Sequence, residues 1–227
     1  MIKDQSILLL GKGNDEYSHK AIAWLRAYGL KVEAYVGKRT HNFPLKNDGR
    51  SWDWVISYLS PWVIPDWLLA RAKKAAINFH PGPPEYPGIG CTNFAIYNEE
   101  KIFGITCHHM ISHVDSGAII EVKRFPIYPS DNVFELTKRC YIHIFELFKE
   151  IVMIIQKDCS LPSSAEQWKR KAYTRSELDA LCVIRPDMSE TEIQRRLKAT
   201  TFPGMPGAYV ILGKEKFLAR EHIERGK

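Results

Sequence analysis

The sequence predicts an α/β fold: a mostly parallel sheet with helices on both faces, followed by a small C-terminal tail. Short apolar runs alternate with segments of helical spacing, and this alternation builds parallel strands joined by crossover helices. At 227 residues the chain has material for one full α/β core and a modest appendage. Its 45% hydrophobic and 26% charged residues belong to an ordinary globular protein, not to a disordered or fibrous one.

Residues 5–11 form an apolar run that ends in glycine, and residues 14–28 repeat Ala21, Ile22, Leu25 and Tyr28 at helical spacing, so a strand is followed by a helix. Residues 30–37, 53–59 and 75–80 read as further strands, with a helix over 65–74 before the last. Beyond a loop rich in proline and glycine come a helix over 92–99, a buried strand over 103–111 and a strand over 117–127. A long helix is expected to start at Ser130 or Asp131, either of which can cap it, and to run through Val133, Leu136, Tyr141, Ile144, Phe145 and Phe148 toward Ile155. The polar, proline-containing stretch 160–164 marks the end of the core, dividing the chain into a core over 1–160 and an extension over 161–227. In the extension Ser189 and Glu192 spell a capping box ahead of a helix, and residues 209–212 and 216–219 a hairpin turning at Gly213 and Lys214, a candidate dimerisation element. The whole is a Rossmann-like core with a helix and β-hairpin tail.

The apolar stretch from Ile7 to Leu10 is too short for a signal core or a membrane span and is flanked by Asp4 and Lys12, so a cytoplasmic protein with no membrane partner is expected. Cys91, Cys107, Cys140, Cys159 and Cys182 are odd in number and form no Cys-x-x-Cys pair, which points to reduced, buried thiols. A formal charge of +6 favours anionic partners such as nucleotides or folate.

Reactive side chains gather at the ends of two expected strands: Asn78, His80, His108, His109, His113 and Asp115. In an open α/β sheet the ligand crevice lies outside the carboxyl ends of the strands. Asn78 and His80 stand two apart on one strand, so their side chains leave the same face and converge. Acyl transfer to an amine needs a donor for the developing oxyanion and an acceptor for the amine's proton, which an Asn amide and an imidazole supply. Asp115 is placed to orient the imidazole, raise its basicity, or take the proton through water. The alternative is that Asn78 and Asp115 cap backbone groups and His80 is a core histidine. A metal site is disfavoured, since adjacent His108 and His109 point to opposite faces of a strand.

The loop over 81–90 holds four prolines and three glycines in ten residues, a rigid lip directly after the candidate base. Gly11-Lys12-Gly13, after the first strand, offers Lys12 and a helix start to a phosphate, but matches neither a dinucleotide fingerprint nor a phosphate loop.

The run Asn78-Phe79-His80-Pro81-Gly82, with Tyr86-Pro87-Gly88, Asn93-Phe94-Ala95-Ile96, Gly104-Ile105-Thr106, His109-Met110 and Asp115-Ser116-Gly117, resembles the formyltransferases that use 10-formyltetrahydrofolate. Within them the short length and the His80-to-Gly90 wording look most like the sugar N-formyltransferases acting on nucleotide-linked amino sugars. The resemblance implies that Asn78 binds the formyl oxygen, His80 serves as acid and base, and Asp115 assists proton removal. It implies a pterin pocket at Trp62, Val63, Ile64 and the stretch His113 to Asp115, with the amino sugar held at Tyr86, Gly90 and Asn93. The family's Ser-Leu-Leu-Pro loop is replaced here by Gly82-Pro83-Pro84-Glu85. The tail is too short for the tRNA-gripping domain of methionyl-tRNA formyltransferase, so a nucleic-acid partner is not expected. A homodimer and a product that enters surface O-antigen are. The alternatives are a phosphoribosylglycinamide formyltransferase, whose Ser-Asn pair is missing from the first glycine loop, and a non-catalytic folate- or nucleotide-binding module.

Overall fold

The computed structural model describes residues 5–157 and 160–219; Cys159 and the last eight residues lie outside them. The core elements are β1 (Ser6–Lys12), α1 (Glu16–Ala27), β2 (Lys31–Gly37), β3 (Trp52–Tyr58), α2 (Asp66–Leu69), β4 (Ala72–His80), α3 (Cys91–Tyr97), β5 (Ile102–His109), β6 (Ile119–Pro126) and α4 (Val133–Gln156). The extension adds α5 (Arg175–Leu181), β7 (Val183–Ile184), α6 (Glu190–Thr200), β8 (Tyr209–Leu212) and β9 (Glu215–Leu218).

The six core strands form one sheet in the order β2-β1-β3-β4-β5-β6. The first four are parallel, while β5 runs antiparallel to both β4 and β6. β1 is apolar at every central position because both its faces are covered: Ile7 and Leu9 face one core cluster, Leu8 and Leu10 the other. The first cluster holds α1, α3 and the apolar stripe of α4. The second face carries the short α2 and connecting segments, through Leu68, Leu45, Phe43, Trp62, Ile64 and Met110. Strand order reverses between β1 and β3, and that reversal opens the crevice characteristic of such sheets at their carboxyl ends.

Three local expectations differ from the structure. The helix over 65–74 shrinks to α2, because residues from Ala72 onward are taken into β4, where Ala72 pairs with Trp52. α4 is capped by Asn132, whose side chain accepts from the Glu135 N–H at 3.0 Å, and not by Ser130 or Asp131. Asp131 is already committed to the Arg139 guanidinium at 2.6 and 2.9 Å and to the Tyr128 N–H. Ser189 caps α6, but the Glu192 carboxylate goes to Arg196 and Tyr97 instead of returning to the cap. The reciprocal box forms at Thr174 and Glu177, opening α5. The hairpin, turning through Gly213 at φ +61°, is joined by β7 into a three-stranded sheet.

Residues after 160 do not leave the core. The Ser164 N–H donates to the Ile119 carbonyl, the Lys169 N–H to Pro84 and the Tyr173 N–H to Pro87, while the Ile89 N–H returns to Tyr173. The segment is thereby laced along the 81–90 loop. Further on, α6 packs on α3, with Asn93 donating to the Ala199 carbonyl. Among the described residues no helix is long and apolar enough to cross a membrane.

Candidate active site

The antiparallel turn of the sheet from β4 to β5 sets Asn78 directly opposite His108. Cross-strand partners bring their side chains together, and here Asn78 Nδ2 lies 3.0 Å from His108 Nε2. His108 Nδ1 donates to the His109 carbonyl at 2.8 Å, which fixes the ring. The chain then leaves β5 and returns through a loop that carries Asp115 back over the strand ends. Asp115 sits at φ +44°, the left-handed region that Asp tolerates better than most residues. Gly117, two residues on, has no room for a side chain, since a Cβ there would lie 1.9 Å from the His109 carbonyl oxygen.

Asp115 is the hub. Its Oδ1 is 3.2 Å from Asn78 Nδ2 and 3.1 Å from His108 Nε2, and its Oδ2 is 2.8 Å from the Gly88 N–H and 3.2 Å from His80 Nδ1. His80 completes the cluster by donating from Nε2 to the Tyr86 carbonyl at 2.9 Å. Both histidines and Asp115 are almost fully buried, whereas Asn78 is half-buried. Burial pushes the Asp115 carboxyl upward, but His80, His108 and the Gly88 N–H together outweigh it and hold the carboxyl at about 2. The carboxylate is therefore ionised throughout the neutral range. Since this lies below the unfolded value of about 3.9, its stabilisation is complete above that pH and is lost as the pH falls toward 2. Urea unfolding of the wild type and of an Asp115→Asn variant should accordingly differ in stability at pH 6, with the difference closing between about pH 4 and pH 2.

The cluster lies at the bottom of a cavity of about 610 Å³ at the carboxyl ends of β1, β3 and β4. Asn78, His80 and Asp115 all reach its wall, as do Trp62, Val63, Ile64 and His113. Trp62 stands over Gly37, where a Cβ would meet its ring at 2.2 Å, and its N–H donates to the His41 carbonyl. Val63 is 70% exposed at the mouth. Lys12, at the end of β1, donates to the Tyr141 hydroxyl and lines the same space, together with Arg39 and Arg175. Asp115 is the only carboxylate on this wall among the described residues, so the mouth is cationic. Gly90 lines the cavity too, at φ +70° as the first residue before α3.

Two expected substrate contacts are corrected. Tyr86 is 3% exposed and lies among core residues, with its hydroxyl donating to Glu100 and accepting from Asn98. Its contribution to the site is the backbone carbonyl that holds His80. Asn93 points away from the cavity to α6, and neither residue reaches the wall. Burial pushes Cys91 up to about 12 and Cys107 well above its ordinary value, so neither thiol serves as a nucleophile near neutral pH. Among the described residues no group of three or more His, Cys, Asp or Glu side chains is arranged to hold a metal ion.

Sequence reasoning placed His108 among the reactive groups without giving it a role; the antiparallel pairing of β4 and β5, which leaves no mark on composition, supplies one. It missed Tyr141, Tyr173 and Arg175 on the wall and Trp168 behind the histidines. The first of these looks in sequence like one more residue of an amphipathic helix, and the others fall beyond the supposed end of the core.

Residues 54–148 match the family model for formyl transferase. A GDP-perosamine N-formyltransferase from Brucella melitensis is 32% identical over 175 residues, covering 76% of this chain, which spans 66% of that relative's length. A sugar N-formyltransferase from Shewanella has the same fold, with a TM-score of 0.79 at 20% identity over 96% of this chain and 97% of that one. An N-formyltransferase from Helicobacter canadensis, in complex with folinic acid and dTDP-3-aminofucose, gives a TM-score of 0.71 at 17% identity over 94% and 85%. The matched stretch includes the strands and the turn that hold Asn78, His80, His108 and Asp115, so residues 54–148 form a formyl transferase domain, set in a fold shared with the solved sugar N-formyltransferase.

Proposed function

We propose that the protein transfers the formyl group of 10-formyltetrahydrofolate to the primary amine of a nucleotide-linked amino sugar. The observation that carries this reading is the convergence of Asn78, His80 and Asp115 on one buried carboxylate hub at the floor of the cavity.

The cavity suits the two substrates. Its volume of about 610 Å³ is within the usual range for small-molecule sites. Trp62, Val63 and Ile64 offer an apolar wall to a flat ring system, with Asp115 and His113 beside it, while Lys12, Arg39 and Arg175 offer charge to anionic groups at the mouth. Gly90 and the rest of the rigid loop border the side where the amine enters. The folate supplies the formyl carbon.

The Asn78 amide has two protons. One goes to Asp115, and the other, which faces His108, is the donor proposed for the formyl oxygen as negative charge develops there. His80 passes its proton toward the departing nitrogen; when that proton is the one on Nε2, the bond to the Tyr86 carbonyl is given up. Asp115, at Nδ1, balances the charged ring and takes the amine's proton, directly or through a water; that proton then leaves to solvent as His80 regains its own, so both groups end the cycle as they began it. His80, His108 and Asp115 are already buried side by side, so the electrostatic part of the site is preorganised as charge builds.

The test is to mix the protein with 10-formyltetrahydrofolate and a panel of amines, namely nucleotide-linked 3-amino and 4-amino sugars and glycinamide ribonucleotide, and to follow folate absorbance. Turnover is expected with a nucleotide-linked sugar. Turnover with glycinamide ribonucleotide alone would move the assignment to the purine-type reaction, and none with any amine would end it. Asn78→Ala is expected to lower kcat about 10²–10³-fold, corresponding to roughly 2.7–4 kcal/mol for a lost oxyanion donor, and His80→Ala about 10²–10⁴-fold, the usual contribution of a general acid or base. Thermal melts near the wild-type value would show that the loss is chemical.

The same reading includes a homodimer. Ile211, Leu212, Phe217 and Leu218 are about half exposed on the β8–β9 hairpin, an apolar surface that a second copy would cover. It also puts the reaction in the cytoplasm, with its product supplied to surface-polysaccharide O-antigen.

A further inference from the structure

Behind the two active-site imidazoles stands a side chain from the extension. Trp168 lies on the segment laced to the 81–90 loop, and its ring meets His108 edge-on, with centroids 5.0 Å apart and planes at 90°. The same ring meets His80 at 5.9 Å and 71°. Its indole N–H donates to the Gly117 carbonyl at 2.8 Å, two residues along from Asp115. Trp168 is half-buried and does not line the cavity, so it stands behind the histidines, away from any substrate. The backbone on both sides of it is fixed: Ser164 N–H to Ile119 before it and Lys169 N–H to Pro84 after it. Glu166, two residues earlier, joins Glu85 on the guanidinium of Arg124.

We infer that Trp168 is a positioning residue for the whole His80–Asp115–His108 cluster, holding both imidazoles and the turn that carries the carboxylate. The kinetic part of this inference rests on the formyl-transfer reading; the geometric part does not. A rigid indole plate closes the back of the cluster. It keeps that side apolar, which strengthens the hydrogen bonds to the buried carboxylate. Its N–H satisfies a carbonyl on a turn that is already strained at Asp115, so the turn and the imidazoles share one support. The chemistry of residues 78–115 thus depends on a residue beyond the stretch matched by the family model.

Trp168→Phe and Trp168→Ala separate the plate from the N–H. Three measurements apply to each: kcat and KM for both substrates, thermal unfolding, and long-range nitrogen–proton NMR of the imidazoles in ligand-free protein, which reports which ring nitrogen carries a proton. Trp168→Ala should lower kcat by on the order of 10- to 100-fold, as a displacement of about 1 Å does, with KM changed less than about twofold. It should also alter the protonated-nitrogen pattern of His80 or His108. Trp168→Phe, which keeps an aromatic plate, should recover most of kcat. Wild-type kcat with unchanged imidazole spectra in folded Trp168→Ala would overturn the inference, as would a loss of rate with the spectra unmoved. If Trp168→Ala does not fold, Trp168→Leu, which fills the space but has neither an aromatic plate nor an N–H, carries the same two readouts and the same expected loss. If the wild type transfers no formyl group to any amine, the imidazole spectra by themselves still decide the geometric part.

Discussion

Replacing Asp115 with Asn is expected to reduce formyl transfer by roughly 10³- to 10⁴-fold, the scale seen when a buried carboxylate partner of a catalytic histidine is neutralised. The substitution is isosteric, yet the hydrogen-bond pattern cannot be satisfied. One carboxylate oxygen faces Asn78 Nδ2 and His108 Nε2; the other faces the Gly88 N–H and His80 Nδ1. Whichever way the new amide turns, its NH₂ group points at a donor. Because this breaks one partner out of a buried charged cluster, a stability loss of about 3–5 kcal/mol accompanies the loss of rate. Turnover assays on protein confirmed as folded at the assay temperature, with urea unfolding alongside, check both parts. Turnover within tenfold of wild type would remove Asp115 from the mechanism.

Gly117→Ala carries the second large effect. The added methyl would lie 1.9 Å from the backbone carbonyl oxygen of His109, and a backbone group on a paired strand cannot swing aside as a flexible side chain would. The loop has to move instead, taking the Trp168 bond and the Asp115 turn with it. Overpacking of this kind costs up to about 3 kcal/mol or more, so Tm should fall by roughly 6–12 °C in a chain of this size. Activity should fall further than the melt explains, because the carboxylate leaves its four partners. An unchanged Tm would show that the turn relaxes freely. Gly117 looks in sequence like an ordinary turn glycine, and Gly29 by contrast has nothing within 4 Å of the position its Cβ would take.

Much of the fold was legible because it rests on short-range periodicity. The apolar runs of β1 and β3 and the stripe of α4 through Leu136, Ile144 and Phe148 announce buried strands and a sheet-covering helix directly. Ends of elements were less legible, since they are set by competition between neighbours: Asp131 would cap α4 were it not taken by Arg139, and residues 72–74 would extend α2 were they not drawn into the strand beside β3. The extension was the least legible part. Its contact with the active-site loop runs through backbone N–H and C=O groups at Lys169 and Tyr173, which no sequence pattern marks.

The sequence by itself determined the α/β class, the nearness of Asn78 and His80 on one strand face, and the chemical type of the site, because two residues' separation along a strand dictates where their side chains point. The tertiary structure alone decided that Asp115 joins them with His108, that Tyr86 and Asn93 turn away, and that Trp168 stands behind the imidazoles. Those outcomes depend on an antiparallel register, a left-handed turn and a strap that returns from beyond the core. Each joins residues far apart in the chain, and their meeting is governed by how the folded elements pack together and not by local spacing.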